Sequence, residues 1–277
     1  DKVDGSEEVD LVDCFAYPLP AAVIFELLGV PMENQAQFRE WVEDLVEFVG
    51  AMGPLVSKSV DKAERSRSEL TRFFRELTLE RRSNPRDDLI SFLVSVEGQE
   101  EGLTEQELLG LIVFLFDAGF ETTVGLITNG MLALMQNREE LHKLKETPSL
   151  IGTAVEEFLR YESPIIYNTR LANEDIEIDG QRIHKGNAIS LVISAANRDP
   201  AKFHDPDRLD VSRLDNRHVA FGWGVHFCLG APLARIEAEI AINSLIARFP
   251  NIRLQNEEVD WWENMVMRVP KSLHVWL

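Results

Sequence analysis

The sequence predicts a mainly α chain with small β-sheets, an α+β fold, and three observations carry that expectation. Residues 1–165 read as almost continuous helix, punctuated by turn formers at Pro31, Gly53-Pro54, Ser83-Asn84-Pro85, Gly98 to Gly102 and Thr147-Pro148. Residues 104–137 are apolar on nearly every helical face, as expected of an element that runs through a core. Strand signals are short and gather after Pro164. With 277 residues the chain is expected to form one domain, 1–277, helical over 1–165, mixed strand and loop over 166–230, and helix plus strands over 231–277.

Thr104-x-x-Glu107 forms a capping box at the start of the long helix, which at 1.5 Å per residue would extend about 51 Å. Thr147 as N-cap, with Pro148 in the first helical position, starts a helix that ends near Tyr161 before Pro164. Ile176-Glu177-Ile178, the turn Asp179-Gly180 and Arg182-Ile183 read as a hairpin, and Ala188 to Ala195 as a buried strand. Residues 201–230 read as irregular, Ala231 to Phe249 as helix and the C-terminus as short strands.

Lys and Arg number 28 against 47 Asp and Glu, and the resulting charge of −19 repels phosphate backbones and anionic lipid surfaces. Nucleic acid and membrane are therefore not expected as partners. The longest uncharged apolar run, Leu108 to Phe116, falls well short of the ~20 residues a bilayer requires. Asp1 to Glu8 carry no secretion signal, and Cys14 and Cys228 stand too far apart to suggest a disulfide framework. A soluble, cytoplasmic protein is expected.

Phe221-Gly222-Trp223-Gly224-Val225-His226-Phe227-Cys228-Leu229-Gly230 sets a cysteine among glycines immediately before a helix. Glycines let backbone N–H groups turn toward the sulfur, and a helix N-terminus adds positive potential, so both favour thiolate. An isolated cysteine would read as a small buried residue. This decapeptide instead resembles the Phe-Gly-x-Gly-x-His-x-Cys-x-Gly motif of the cytochrome P450 family. The resemblance implies that family's fold, with a long central oxygen-binding helix, a cysteine-ligand loop and heme b as cofactor. It makes Cys228 the axial ligand of the heme iron, where a thiolate favours O–O cleavage. It also puts Phe221 and Gly222 in the cofactor site and gives His226 a heme propionate, the alternative being a histidine that only braces the loop.

Further segments extend the resemblance. Glu157 and Arg160 stand at i,i+3, a spacing that in an exposed pair contributes about 0.5 kcal/mol or less. Followed by Tyr161-Glu162-Ser163-Pro164, they resemble the family's Glu-x-x-Arg brace; Glu156 competes as the acid, and the spacing selects Glu157. Asn168-Thr169-Arg170-Leu171-Ala172 is similar to the segment whose arginine binds a propionate, which implies Arg170, otherwise an ordinary strand-end arginine. In Ala118-Gly119-Phe120-Glu121-Thr122-Thr123, the Thr122 hydroxyl can bond the Ala118 carbonyl, and helices open or bend at such places, leaving room for dioxygen and water. The segment resembles the family's Ala-Gly-x-(Asp/Glu)-Thr-Thr motif, which implies Thr122 as the oxygen-contacting alcohol and Glu121 in proton delivery. Asp117 reads as a structural partner or a solvent-facing acid. By resemblance, Leu115, Ala118, Ile165, Ile166 and Met267 contact substrate; each could equally be core.

The implied function is a bacterial-type soluble monooxygenase that inserts one atom of O2 into a small apolar substrate, taking NAD(P)H electrons through a ferredoxin or flavodoxin-type partner and its reductase. A peroxide-using relative and a non-catalytic heme-binding remnant are the alternatives. Val9-Asp10-Leu11-Val12 and the stretch from Pro18 to Pro31 look like the start of the family's fifth helix, so the N-terminal portion of that fold is expected to be missing.

Overall fold

The computed structural model describes residues 8–51, 54–98 and 102–277, with only the backbone at 54 and 55; the breaks expected at Gly53 and within 98–102 thus lie wholly or partly outside the described residues. Helix α1 (Pro18–Leu28) carries proline in its first turn, where no N–H is needed, and stops at Gly29 in the left-handed conformation, φ 72°. A side chain there would collide with Asp88 and Arg81. Those two residues form a buried ion pair at 2.6 Å, and Arg81 also donates to the Gly29 carbonyl, so α3 (Pro54–Ser83) is tied to the end of α1. Helix α2 (Gln35–Gly50) packs along α3, and α4 (Leu89–Val96) is capped by Asp88, whose carboxylate accepts the Ser91 N–H.

Helix α5 (Glu105–Gln136) is the axis of the chain. Thr104 and Glu107 form the expected capping box, and α1, α3, α7 (Ile151–Tyr161) and α9 (Ala231–Arg248) all pack on it. Every residue from Thr123 to Met135 is buried, which explains the apolar run without a bilayer, although α5 is long and apolar enough to cross one. Its first half is different. Phe116 and Phe120 enter an aromatic cluster with Phe25, Phe38, Phe74 and Tyr17, while Phe114 on another face is 63% exposed. The chain then turns through α6 (Arg138–Glu146) into α7. Asn129 fastens α5 to two later segments of the chain, its amide donating to the Glu162 and Arg268 carbonyls.

Four small antiparallel sheets complete the described chain. Strand β1 (Glu8–Asp10) pairs with β9 (His274–Trp276), which also pairs with β6 (Arg253–Leu254). Strand β2 (Tyr167–Leu171) pairs with β5 (Ala188–Val192), β3 (Ile176–Ile178) with β4 (Gln181–Ile183), and β7 (Asp260–Trp261) with β8 (Pro270–Ser272). The β3–β4 turn needs positive φ at both central residues, and Asp179 and Gly180 supply 49° and 75°.

Several expectations need correction. Residues 1–165 are not helix throughout, because β1 takes its hydrogen bonds from a strand more than 260 positions away. Strand β5 ends at Val192 and is largely exposed, and the chain turns into the short helix α8 (Ile193–Ala196). The Thr147 side chain makes no cap bond, and a 3-10 turn over Pro148–Leu150 precedes α7. Thr122 does donate to the Ala118 carbonyl, at 3.3 Å, yet α5 continues as α-helix through this point.

Glycines in α5 offer a test of this packing. At Gly125 an added methyl would lie 2.8 Å from Val269 and 3.0 Å from Pro164, whereas at Gly110 it would meet nothing within 4 Å. Gly125→Ala is expected to destabilise the chain by about 1–3 kcal/mol, and Gly110→Ala to stabilise it by about 0.5–1 kcal/mol, in urea unfolding. Equal effects at the two positions would contradict the packing described.

Candidate functional site

The site begins with a buried ion pair. Glu157 and Arg160, both fully buried on α7, form two parallel hydrogen bonds of 2.8 Å. Arg160 directs its remaining N–H groups to the carbonyls of Asn197, Pro206 and Arg208. Glu157 accepts from the Asp210 N–H, the Arg213 guanidinium and the Asn216 amide. A loop with almost no regular hydrogen bonding, 197–216, is thereby held by one acid and one base. Glu156 faces elsewhere: it binds Arg235 on α9 at 2.6 Å and buried His218 at 3.1 Å. Arg213, Asn216, His218 and Arg235 were invisible to sequence reasoning, because their partners lie more than 50 positions away.

That bracing leads into the cysteine turn. Gly222 and Gly224 adopt φ 74° and 67°, which lets the Cys228 N–H fold back onto the Phe221 carbonyl at 2.8 Å. Among the described residues no hydrogen bond reaches the sulfur, contrary to the expectation that the glycines aim N–H groups at it. Positive potential comes instead from the start of α9, three residues on, and from Arg235, which interacts electrostatically with Cys228 and stacks on the Phe221 ring. Cys228 is exposed. Cys14, also exposed at its surface, has the opposite surroundings: partial desolvation together with Asp10 and Asp13 pushes its thiol up.

The turn itself leaves Trp223, Val225 and Leu229 81%, 98% and 82% exposed, and elsewhere Phe114 of α5 and Leu171 of β2 are also open to solvent. Ala118 is exposed and Leu115 half-buried on the same helix. Arg170 on β2 pairs with no carboxylate among the described residues and donates only to the neighbouring Thr169 carbonyl. His226, in the 3-10 turn Gly224–His226, is exposed. Ile165 and Met267 meet across an isolated β-bridge and Ile166 donates to the Val266 carbonyl, but the Met267 side chain is buried and serves packing. An apolar plane with anionic edges fits this set of a bare sulfur, open apolar walls and an uncommitted guanidinium.

One residue before Thr122, Glu121 borders a cleft lined also by Tyr17, Arg39, Glu43, Trp262 and Lys271. Burial raises its pKa to about 7; Glu43 and Asp117 add to the rise and Arg39 opposes it. Asp117 is partly exposed and shows no hydrogen bond or ion pair among the described residues, so the structural partner expected as one of its two roles is not found there. One of its oxygens is buried without a hydrogen bond, and burial raises its pKa to about 6.

A family model described as Cytochrome P450 matches residues 9–275. The chain is 42% identical over 276 residues to cytochrome P450 CYP107DY1 of Priestia megaterium, a match covering 99% of this chain and 66% of that protein. It is 41% identical to the polyketide biosynthesis cytochrome P450 PksS of Bacillus subtilis, whose solved structure superposes with a TM-score of 0.90 over 98% of this chain and 69% of that one. The structure of P450BioI in complex with an acyl carrier protein ligated to hexadec-9Z-enoic acid superposes with a TM-score of 0.92 at 39% identity, over 99% of this chain and 69% of that one. The chain spans about two thirds of the length of these relatives.

Two carboxylates on α7 should respond differently to substitution. Glu157→Gln leaves Arg160 buried without its counter-ion and is expected to cost about 3–5 kcal/mol in denaturant melts. Burial pushes Glu156 up, but His218 and Arg235 outweigh it and hold its pKa at about 2. Its stabilisation is therefore complete above the unfolded carboxylate value of about 4.3 and is lost as pH falls toward about 2. Glu156→Gln should flatten the stability profile in that acid window; an unaltered acid limb would contradict the pairing.

Proposed function

The chain belongs to the cytochrome P450 family, and from that premise we propose that it works as a cytoplasmic heme-thiolate monooxygenase on an apolar organic substrate. The observation that carries this reading is the exposed Cys228 on a glycine-braced turn whose Trp223, Val225 and Leu229 side chains are open to solvent, together with Arg170 of β2, which has no carboxylate partner among the described residues. Bound heme supplies the iron at which dioxygen is reduced and one of its atoms is transferred. The chain's own residues supply the rest. Cys228 would hold the iron as thiolate, with the start of α9 and Arg235 supplying positive potential nearby. Arg170 and His226 would meet the propionates, and Phe221 and Gly222 would shape the turn that carries Cys228.

The open face of α5 forms the opposite wall. Phe114, Leu115 and Ala118 exclude water and touch substrate, with Ile165 and Ile166 bordering the same space. Thr122 offers a hydroxyl already bonded to its own helix, and Glu121 holds a proton near neutral pH at the adjacent position. Hydroxylation consumes two electrons and two protons, so a proton-holding group next to Thr122 serves the reaction. Electrons come from NAD(P)H through a ferredoxin or flavodoxin-type partner and its reductase. A polyketide or fatty acyl chain, free or carrier-bound as in the relatives' names, is the substrate class that suits these walls.

Reduced, carbon monoxide-bound absorption spectra test the assignment. Cys228→Ala should abolish the red-shifted Soret band of thiolate ligation, and Cys14→Ala should leave it intact; a thiolate band persisting in Cys228→Ala would sink the assignment. Thr122→Ala should retain heme but lower product formed per NAD(P)H consumed, releasing peroxide instead, whereas unchanged coupling would make Thr122 a helix residue only.

A further inference from the structure

We propose that His218 and Arg235 are positioning residues for Cys228, clamped by the Glu156 carboxylate against Phe221, whose carbonyl fixes the Cys228 N–H. Glu156 spends both oxygens on this clamp. One accepts from Arg235 Nε at 2.6 Å; the other accepts from Arg235 Nη2 at 3.0 Å and stands 3.1 Å from His218 Nε2. The second ring nitrogen of the histidine decides its tautomer. Nδ1 lies 3.1 Å from the Ala220 nitrogen, and because a backbone N–H only donates, Nδ1 keeps its lone pair as the acceptor. The proton therefore sits on Nε2 and is donated to Glu156. With its side chain 3% exposed, His218 holds both bonds away from competing water.

Arg235 and His218 meet on Phe221. The guanidinium lies over its ring, 4.6 Å from the centre, and the imidazole is tilted toward it at 6.1 Å. The Phe221 carbonyl accepts the Cys228 N–H at 2.8 Å and so closes the turn that carries the sulfur. The backbone leading there is fixed as well: the Val219 N–H donates to Asn197 Oδ1 at 2.8 Å, and the Gly222 N–H to the Val219 carbonyl at 2.9 Å. Asn197 in turn offers its carbonyl to Arg160. Two adjacent carboxylates of α7 thus hold one segment by separate routes, Glu157 through the preceding loop and Glu156 through the side chains packed on Phe221. A two-pronged guanidinium lying on a ring fixes an orientation, which a point ammonium does not. His218 and Arg235 act here through Phe221 rather than on heme or substrate, and their role presupposes that Cys228 is the iron's ligand.

Three measurements test this role. In the chain labelled with nitrogen-15 at histidine, assigned through His218→Gln, His218 should show a protonated Nε2 and a bare Nδ1; a protonated Nδ1 would overturn the proposal. In Glu156→Gln and in Arg235→Lys, exchange of the Cys228 amide should quicken about tenfold relative to amides in the buried half of α5. A role in overall stability alone would quicken both sets equally and overturn the proposal. With heme bound, part of the reduced, carbon monoxide-bound Soret band should move to shorter wavelength in both variants. Arg235→Lys matching the wild type in exchange and spectrum would mean that charge suffices, which also overturns it. Should Glu156→Gln fail to fold, Arg235→Lys decides alone. A thiolate band persisting in Cys228→Ala would remove the ligand and this role together, whereas its loss there, with Glu156→Gln and Arg235→Lys unchanged, would overturn the positioning role only.

Discussion

The Glu157–Arg160 pair is the constraint on which the site depends. Between Asn197 and Asn216 the chain has almost no secondary structure, and a loop of that length needs its backbone groups satisfied before it can hold a shape. One buried carboxylate and one buried guanidinium do this by collecting three carbonyls, one backbone N–H and two side chains. A buried pair of this kind offsets its own desolvation only when every lone pair and N–H has a partner. Here the surplus partners all come from the loop, so the cost of burying the charges is tied to the position of the segment that leads to Cys228.

Helix α5 serves two incompatible roles by dividing them along its length. From Thr123 to Met135 it is buried on every side, and Gly125 and Gly130 bring Pro164, Val269 and Phe158 against bare backbone. Before that point the helix keeps one face closed by phenylalanines and leaves Phe114 and Ala118 open. A single rigid rod can therefore present Thr122 and Glu121 without adjusting its axis, since its far half is fixed by close packing.

Charge is divided in the same way. At Glu156 and Asp210, hydrogen bonds from cations and hydroxyls hold the pKa at about 2 against burial. At Asp117 burial meets no opposing partner, and at Glu121 Arg39, shared with Asp13 and Glu43, opposes it only in part. The same residue type is thus pushed down at Glu156 and up at Glu121, the difference lying in the neighbours.

The order of helices, the capping box at Thr104, the Asp179-Gly180 turn and the glycine setting of Cys228 were legible in the sequence, because each depends on residues within a few positions of one another. Strand β1, the burial of Glu157 and Arg160, the role of Arg235 and the isolation of Asp117 were not, since each depends on groups that only the fold brings near. The sequence by itself determined which residue types stand at which helical spacing and therefore the family resemblance. Tertiary structure alone decided which charges have partners and which do not. The physical reason is that burial and electrostatic pairing are properties of a place, whereas periodicity and capping are properties of a segment.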